Sequence, residues 1–283
     1  MTPLIKLVEQ KLGRYPEHII RLSGGCVGDV FKITFKNAQP VVAKTGPAGS
    51  NLDVEGRMIK YLQSHSAAPV PDIAYCDDEL LLMSWIDSNN ELLSNIEQHA
   101  ATVVSDLHAV KNTQFGFNEA TLIGGITQPN DWHENWVDFF RDQRLLYMAN
   151  LAVRRGRFSS DTMRSIEKLA GRLPRWIKND AMPCLIHGDV WSGNVICRNG
   201  ELSGLIDPAI YYADPEIELA FIKLFNTFGE PFFNAYQKHN KIKPGFFEER
   251  VDLYNLYPLL VHAVLFGGGY VEQVKKTLKA YGC

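Results

Sequence analysis

Apolar residues recur at helical spacing at Leu4, Leu7, Val8 and Leu12, with Thr2-Pro3 as a cap and first turn ahead of them and Gly13 as a stop. The period then changes. After Ile19-Ile20-Arg21-Leu22 and a glycine-rich bend, Ser23-Gly24-Gly25-Cys26-Val27-Gly28, the apolar Phe31, Ile33 and Phe35 alternate with Lys32 and Thr34. A turn over 36–40 leads into Val41-Val42-Ala43-Lys44, so the pattern predicts paired strands around a glycine-rich bend. A helix follows over 52–63, with Met58, Ile59 and Leu62 on its apolar side, then strands over 73–76 and 80–86 with a turn at Asp77-Asp78. Beyond Asp87 the pattern turns to long helices, over 91–110, 132–153 and 160–178, with brief strands at 184–186, 195–197 and 205–206 and a helical tail over 217–281. The expected class is α+β, with a small sheet-rich lobe over 1–86 and a larger helical lobe over 87–283.

Composition narrows the picture. The chain has 283 residues, 46% hydrophobic and 22% charged, enough to bury a sizeable core without disulfide staples. Its net charge of −3 supplies no general attraction for nucleic acid or an anionic membrane, although it says nothing about a local nucleotide site. The cysteines number five and none forms a C-x-x-C pair, which argues against a zinc or dithiol centre. The apolar run over 256–266 is too short to span a bilayer and contains Pro258 and His262. The first residues lack a basic segment followed by an apolar one, so the expectation is a soluble, cytoplasmic protein with reduced thiols.

The chemistry is carried by His187-Gly188-Asp189, then Asn194 and Asp207. Phosphoryl transfer needs a carboxylate beside the attacking hydroxyl and oxygen ligands that hold Mg²⁺ against nucleotide phosphates. Ile186 and Ile206 stand just ahead of these groups, so each would emerge from the end of a short buried strand. Singly, each residue reads as a turn or loop cap. Together they match the H-x-D-x-x-x-x-N plus Asp arrangement of kinases. Asp189 is then the proton acceptor, and Asn194 and Asp207 are the metal ligands. Lys44, at the end of an apolar strand, resembles the lysine that reaches the phosphates, and Glu55 on the next helix would hold it by an ion pair. Gly24, Gly25 and Gly28 sit where a loop covering the phosphates belongs. No G-x-x-x-x-G-K-[ST] occurs, which excludes a Walker-type loop. The backbone of Met83-Ser84-Trp85-Ile86 would pair with the adenine edge, although the same residues also read as a plain core strand. The cofactors expected are ATP and Mg²⁺.

Further motifs narrow the acceptor. Trp191 inside His187-Gly188-Asp189-Val190-Trp191-Ser192-Gly193-Asn194, Ile206-Asp207-Pro208-Ala209 with Tyr211-Tyr212, Asp214-Pro215-Glu216-Ile217-Glu218, Gln128-Pro129-Asn130 with Trp132, and Leu265-Phe266-Gly267-Gly268-Gly269-Tyr270 make the chain resemble the fructosamine kinase (ketosamine 3-kinase) family, a branch of the aminoglycoside and choline kinase-like phosphotransferases. The resemblance runs from about Gly24 to Tyr270. It implies a bilobal protein-kinase-like fold and ATP-dependent phosphorylation of a ketosamine at a sugar hydroxyl, O3, with deglycation as the consequence. It also implies a small-molecule or protein-bound ketosamine as partner, a monomer or homodimer, and Trp191, Asn130, Trp132 and Glu216 around the sugar. Some members carry a cysteine in the phosphate loop, where Cys26 stands, which brings an intermolecular Cys26 disulfide into view. Two alternatives stay open: a related kinase acting on choline, an aminoglycoside or a thiamine-like alcohol, and a nucleotide-binding scaffold without catalysis.

Overall fold

The computed structural model describes residues 2–22, 28–89 and 92–283. They divide into two compact units, Met1–Ile96 with Gly193–Pro208, and Glu97–Ser192 with Ala209–Cys283.

The first unit is an antiparallel five-stranded sheet flanked by two helices. Strands β1 (His18–Arg21), β2 (Asp29–Phe35), β3 (Ala38–Thr45), β4 (Ile73–Cys76) and β5 (Leu80–Ser84) lie in the order β1-β2-β3-β5-β4. The alternation read in the sequence decides which residues face which helix. Ile33, Phe35, Val41, Ala43, Leu80 and Leu82 point to one face and are covered by Leu4, Leu7, Val8 and Leu12 of helix α1 (Thr2–Leu12). Val42, Leu81 and Met83 point to the other, against Leu52 and Ile59 of α2 (Leu52–His65). Each fully buried Leu or Ile contributes roughly 1.5–3 kcal/mol, so a one-residue slip of β3 would forfeit several such terms at once. Lys44 shares the parity of Val42 and therefore faces α2.

A second hairpin in this unit, Val195–Arg198 with Glu201–Leu205, closes on Asn199-Gly200. Both turn residues have positive φ, 55° and 79°, the signature of a two-residue type I′ turn. In the second unit Val251–Phe266 packs against Glu216–Leu224, Gly269–Ala280 and a long helix built from Trp136–Phe139, Phe140–Leu146 and Tyr147–Arg154; Ser160–Ala170 lies on that long helix, and Glu97–Ala109 packs on Glu230–Tyr236. The middle piece of that helix is widened to π geometry.

Several expectations shift. The strand predicted over 80–86 ends at Ser84, where its pairing with β3 runs out at Val41. The helix predicted over 160–178 stops at Ala170, because Gly171 and Pro174 end it and leave a single tight turn, Leu173–Arg175. The hairpin Thr121–Ile123 with Ile126–Gln128 and the strand Tyr211–Ala213 were not anticipated. Gly124-Gly125 between apolar residues was the legible signal for the first, and both glycines take positive φ. No helix of the described residues is long and apolar enough to cross a membrane.

Candidate active site

In the first unit the structure joins four of the anticipated residues through one cation and one hairpin. The Lys44 ammonium, 6% exposed, donates to Glu55 Oε1 at 2.7 Å and to Asp207 Oδ1. Glu55 reaches it because residues 52, 55 and 59 share one face of α2, the face laid on the sheet. Burial alone would lower the Lys44 pKa, but the charges of Glu55 and Asp207 more than reverse this and hold it above the usual lysine range. Burial also raises the Glu55 carboxyl; Lys44 pulls it down and the Asp207 charge pushes it up. Asp207 has φ of 54°, a left-handed conformation that a non-glycine residue adopts only where its surroundings enforce it. Leu205 pairs with Val195, and the Ile206 N–H donates to the Asn194 carbonyl at 3.1 Å. The base of the hairpin thus brings Asn194 and Asp207 together.

These two side chains offer an amide oxygen and a carboxylate, the hard donors that suit Mg²⁺. The Asp207 side chain keeps 31% exposure beside the Lys44 contact, so an oxygen is accessible. The donor set fits that ion.

Gly24, Gly25 and Cys26 lie outside the described residues. Gly28 is described, and a Cβ there would stand 2.2 Å from the Thr45 carbonyl oxygen, so only glycine fits this approach of the loop to β3. Met83 is buried under α2. Ser84 and Trp85 already use their backbone N–H groups, on Asp72 and Pro40. The Trp85 ring lies under the Lys32 ammonium at 3.7 Å, and its Nε1 donates to Asp87 at 2.8 Å. Ile86 packs over Gly204, where a Cβ would come within 2.6 Å of Ile86 Cδ1.

The second unit holds the His187-Gly188-Asp189 loop. Strand Cys184–Ile186 pairs with Tyr211–Ala213 and delivers His187, Gly188 and Asp189. Gly188 has φ of +84°, and a Cβ on it would stand 2.2 Å from the Ala209 carbonyl oxygen. The loop is bonded on all sides. Ala209 N–H donates to the His187 carbonyl at 2.7 Å, Asp189 N–H to His187 Nδ1 at 3.3 Å, and Trp191 N–H to the Asp189 carbonyl at 3.1 Å. Thr227 Oγ1 donates to the Val190 carbonyl at 3.1 Å. Gly188 N–H donates to Glu218 Oε1 at 2.6 Å, and Glu218 leads on to buried His108 and Tyr236. Asp189 itself stays half-buried. Glu218 lies in the Asp214–Glu218 run read from the sequence, but nothing there marked it as a support for the loop. His108 and Tyr236 carried no signal at all, since their role depends on packing between distant helices.

The four residues placed around the sugar separate into two pairs. Trp191 and Trp132 are 39% and 41% exposed, an unusual state for tryptophan, and Trp132 leans on Tyr212 at 6.4 Å. Asn130 and Glu216 are engaged internally. Asn130 is buried and bonds Thr121, the Glu119 carbonyl and Arg144, so it braces the scaffold. Both carboxylate oxygens of Glu216 are taken by Arg250, at 2.6 and 2.7 Å, in a buried bidentate pair.

Beside that pair, burial and the Glu216 charge push the Asp214 carboxyl up to about 6. The raised folded pKa means the native state holds this proton more tightly than the unfolded chain does. The resulting stability is present below about pH 4 and is lost as pH rises through about 6. Urea unfolding at a series of pH values should show Asp214→Asn losing less stability between pH 4 and 6.5 than the wild type. Equal losses in the two proteins would reject the assignment.

The family model for fructosamine kinase matches residues 1–281. A probable ketoamine kinase of Synechocystis is 37% identical over 204 residues, covering 70% of this chain and 66% of that protein. The chloroplastic protein-ribulosamine 3-kinase of Arabidopsis thaliana is 28% identical, over 92% of this chain and 81% of that one. A Thermobifida fusca crystal structure, provisionally named a fructosamine-3-kinase, superposes with a TM-score of 0.88 at 26% identity and covers 99% of this chain and 98% of that one. An aminoglycoside phosphotransferase solved with AMP-PNP and hygromycin B shares the fold, with a TM-score of 0.69 at 18% identity and 99% coverage of both chains.

Proposed function

Because the chain belongs to the fructosamine kinase family, we propose that it transfers the γ-phosphoryl group of ATP to a sugar hydroxyl, O3, of a ketosamine. The observation that carries the reading is the buried Lys44 ammonium held between Glu55 and Asp207, the arrangement that orients nucleotide phosphates in kinases. The ketoamine and ribulosamine kinases among its relatives support the acceptor class.

In this reading Asp189 accepts the proton of the attacking hydroxyl, and the bonds around Gly188 and Trp191 hold its backbone still while it does so. Lys44 takes the phosphate oxygens, and Glu55 keeps the ammonium pointed at them. Asn194 and Asp207 would hold Mg²⁺, which supplies charge neutralisation on the phosphates when bound. Adenine pairing falls to the segment through Ile86, since the N–H groups of Ser84 and Trp85 are engaged within the sheet. Trp191 and Trp132 offer exposed aromatic faces on which a sugar can stack. The 3-phosphate product is labile, so the expected outcome is removal of the sugar from the amine.

ATP consumption measured against ketosamines of differing sugar and amine, with choline and an aminoglycoside as controls, tests the acceptor class. The expected result is turnover with ketosamines at least about a hundredfold above the controls in kcat/KM, well within the roughly 10⁴–10⁵-fold discrimination that a site built to hydrogen-bond its substrate provides. Preference for choline or the aminoglycoside would reassign the substrate and leave the kinase chemistry standing.

A further inference from the structure

Gly188 poses a problem that its own loop does not solve. Its left-handed φ and its approach to Ala209 turn its N–H inward, where an unmatched donor would be costly. Glu218 supplies the acceptor at 2.6 Å from a side chain with no solvent exposure. A carboxylate so buried needs a second donor, and His108 Nε2 provides it at 2.9 Å. The other ring nitrogen, Nδ1, lies 2.7 Å from the Tyr236 hydroxyl. Burial raises the Tyr236 pKa first of all, with Cys184 and Glu218 adding to it, so the hydroxyl keeps its proton. The Glu218 carboxylate can only accept, so Nε2 carries the hydrogen that faces it and the Tyr236 hydroxyl donates to Nδ1. The polarity of the chain of bonds is set at its Glu218 end, because the Tyr236 hydroxyl can donate or accept. Three helices, Glu97–Ala109, Glu216–Leu224 and Glu230–Tyr236, each contribute one residue.

We infer that Glu218 is a positioning residue for the proton acceptor Asp189, and that Tyr236 and His108 fix its orientation. The inference rests on the role proposed for Asp189. The peptide between Gly188 and Asp189 determines where that carboxylate sits, and a misplacement of about 1 Å at a reacting group costs about a hundredfold in rate. Because Glu218 touches neither nucleotide nor acceptor in this scheme, its loss falls on kcat and spares KM.

The test compares Glu218→Ala, Glu218→Gln and Tyr236→Phe in the full-length protein, with Asp189→Asn measured alongside. Glu218→Ala should lower kcat about a hundredfold, with KM for ATP and for the ketosamine within about threefold of wild type. Glu218→Gln should recover to within about tenfold of wild type, because its amide oxygen still accepts from Gly188. Its NH₂ group then faces His108 Nε2, which must become the acceptor. Nitrogen-15 NMR should therefore show His108 protonated on Nε2 in the wild type and on Nδ1 in Glu218→Gln. A purely structural brace would show neither the selective loss in kcat nor its recovery by glutamine. A Glu218→Ala kcat within threefold of wild type, or a folded Glu218→Gln as impaired as Glu218→Ala, overturns the inference. Should Glu218→Ala not fold, Tyr236→Phe decides: a several-fold lower kcat with unchanged KM supports the role, and an unchanged kcat overturns it. An active Asp189→Asn would instead remove the proton acceptor itself, so the two failures are distinguishable.

Discussion

Asp189→Asn should lower kcat by about three orders of magnitude while the protein remains folded and binds ATP as before. General-base assistance contributes roughly 10²–10⁴-fold, and an amide of nearly the same shape cannot accept the proton. Two bonds around it run through its backbone atoms: the Asp189 N–H donates to His187, and its carbonyl accepts from Trp191. The substitution leaves them intact, so the melting temperature should move by no more than about 2 °C, the shift that less than one kcal/mol produces in a chain of this size. Steady-state kinetics and a thermal melt on the same preparation check both halves. Turnover within tenfold of wild type would withdraw the base assignment.

Lys44→Met should damage both stability and turnover. Methionine fills the volume of the lysine stem but leaves Glu55 and Asp207 without the cation between them. Removing one member of a buried ion pair costs about 3–5 kcal/mol. The Asp207 side chain keeps 31% exposure, so solvent screens part of the loss and about 2–4 kcal/mol is the expected figure. At about 2–4 °C per kcal/mol, the melting temperature should fall by roughly 5–15 °C. The deficit should shrink on acidification, because protonating the Glu55 carboxyl, already pushed up by burial, relieves the unpaired charge. KM for ATP should rise at the same time. A variant as stable as the wild type at neutral pH would show that the ammonium is not a strut of this unit.

How far the site was legible can be judged residue by residue. Lys44 could be placed because β3 alternates cleanly, so the face it occupies follows from parity alone. Asn199-Gly200, which the sequence reading did not use, was the local signal for the hairpin that brings Asn194 and Asp207 together, since few residues other than asparagine and glycine take two successive positive φ values at low cost. Asn130 and Glu216 are harder to read for the opposite reason. A polar residue in a recognisable motif looks the same whether it meets a ligand or an internal partner, and Arg144 and Arg250, the partners that decide the matter, lie 14 and 34 residues away.

The amino-acid order by itself determined most of the helices and strands, the sheet-rich and helical portions, and which acid, amide and amine groups are proposed for phosphoryl chemistry. Those properties come from local periodicity and from functional groups that only certain residues possess. Tertiary structure alone decided which buried charges are paired and which polar groups brace the catalytic loop. His108, Glu218 and Tyr236 lie 110 and 128 residues apart along their hydrogen bonds. The free energy of burying a carboxylate is set by what packs around it in three dimensions, and no local pattern in the chain records that packing.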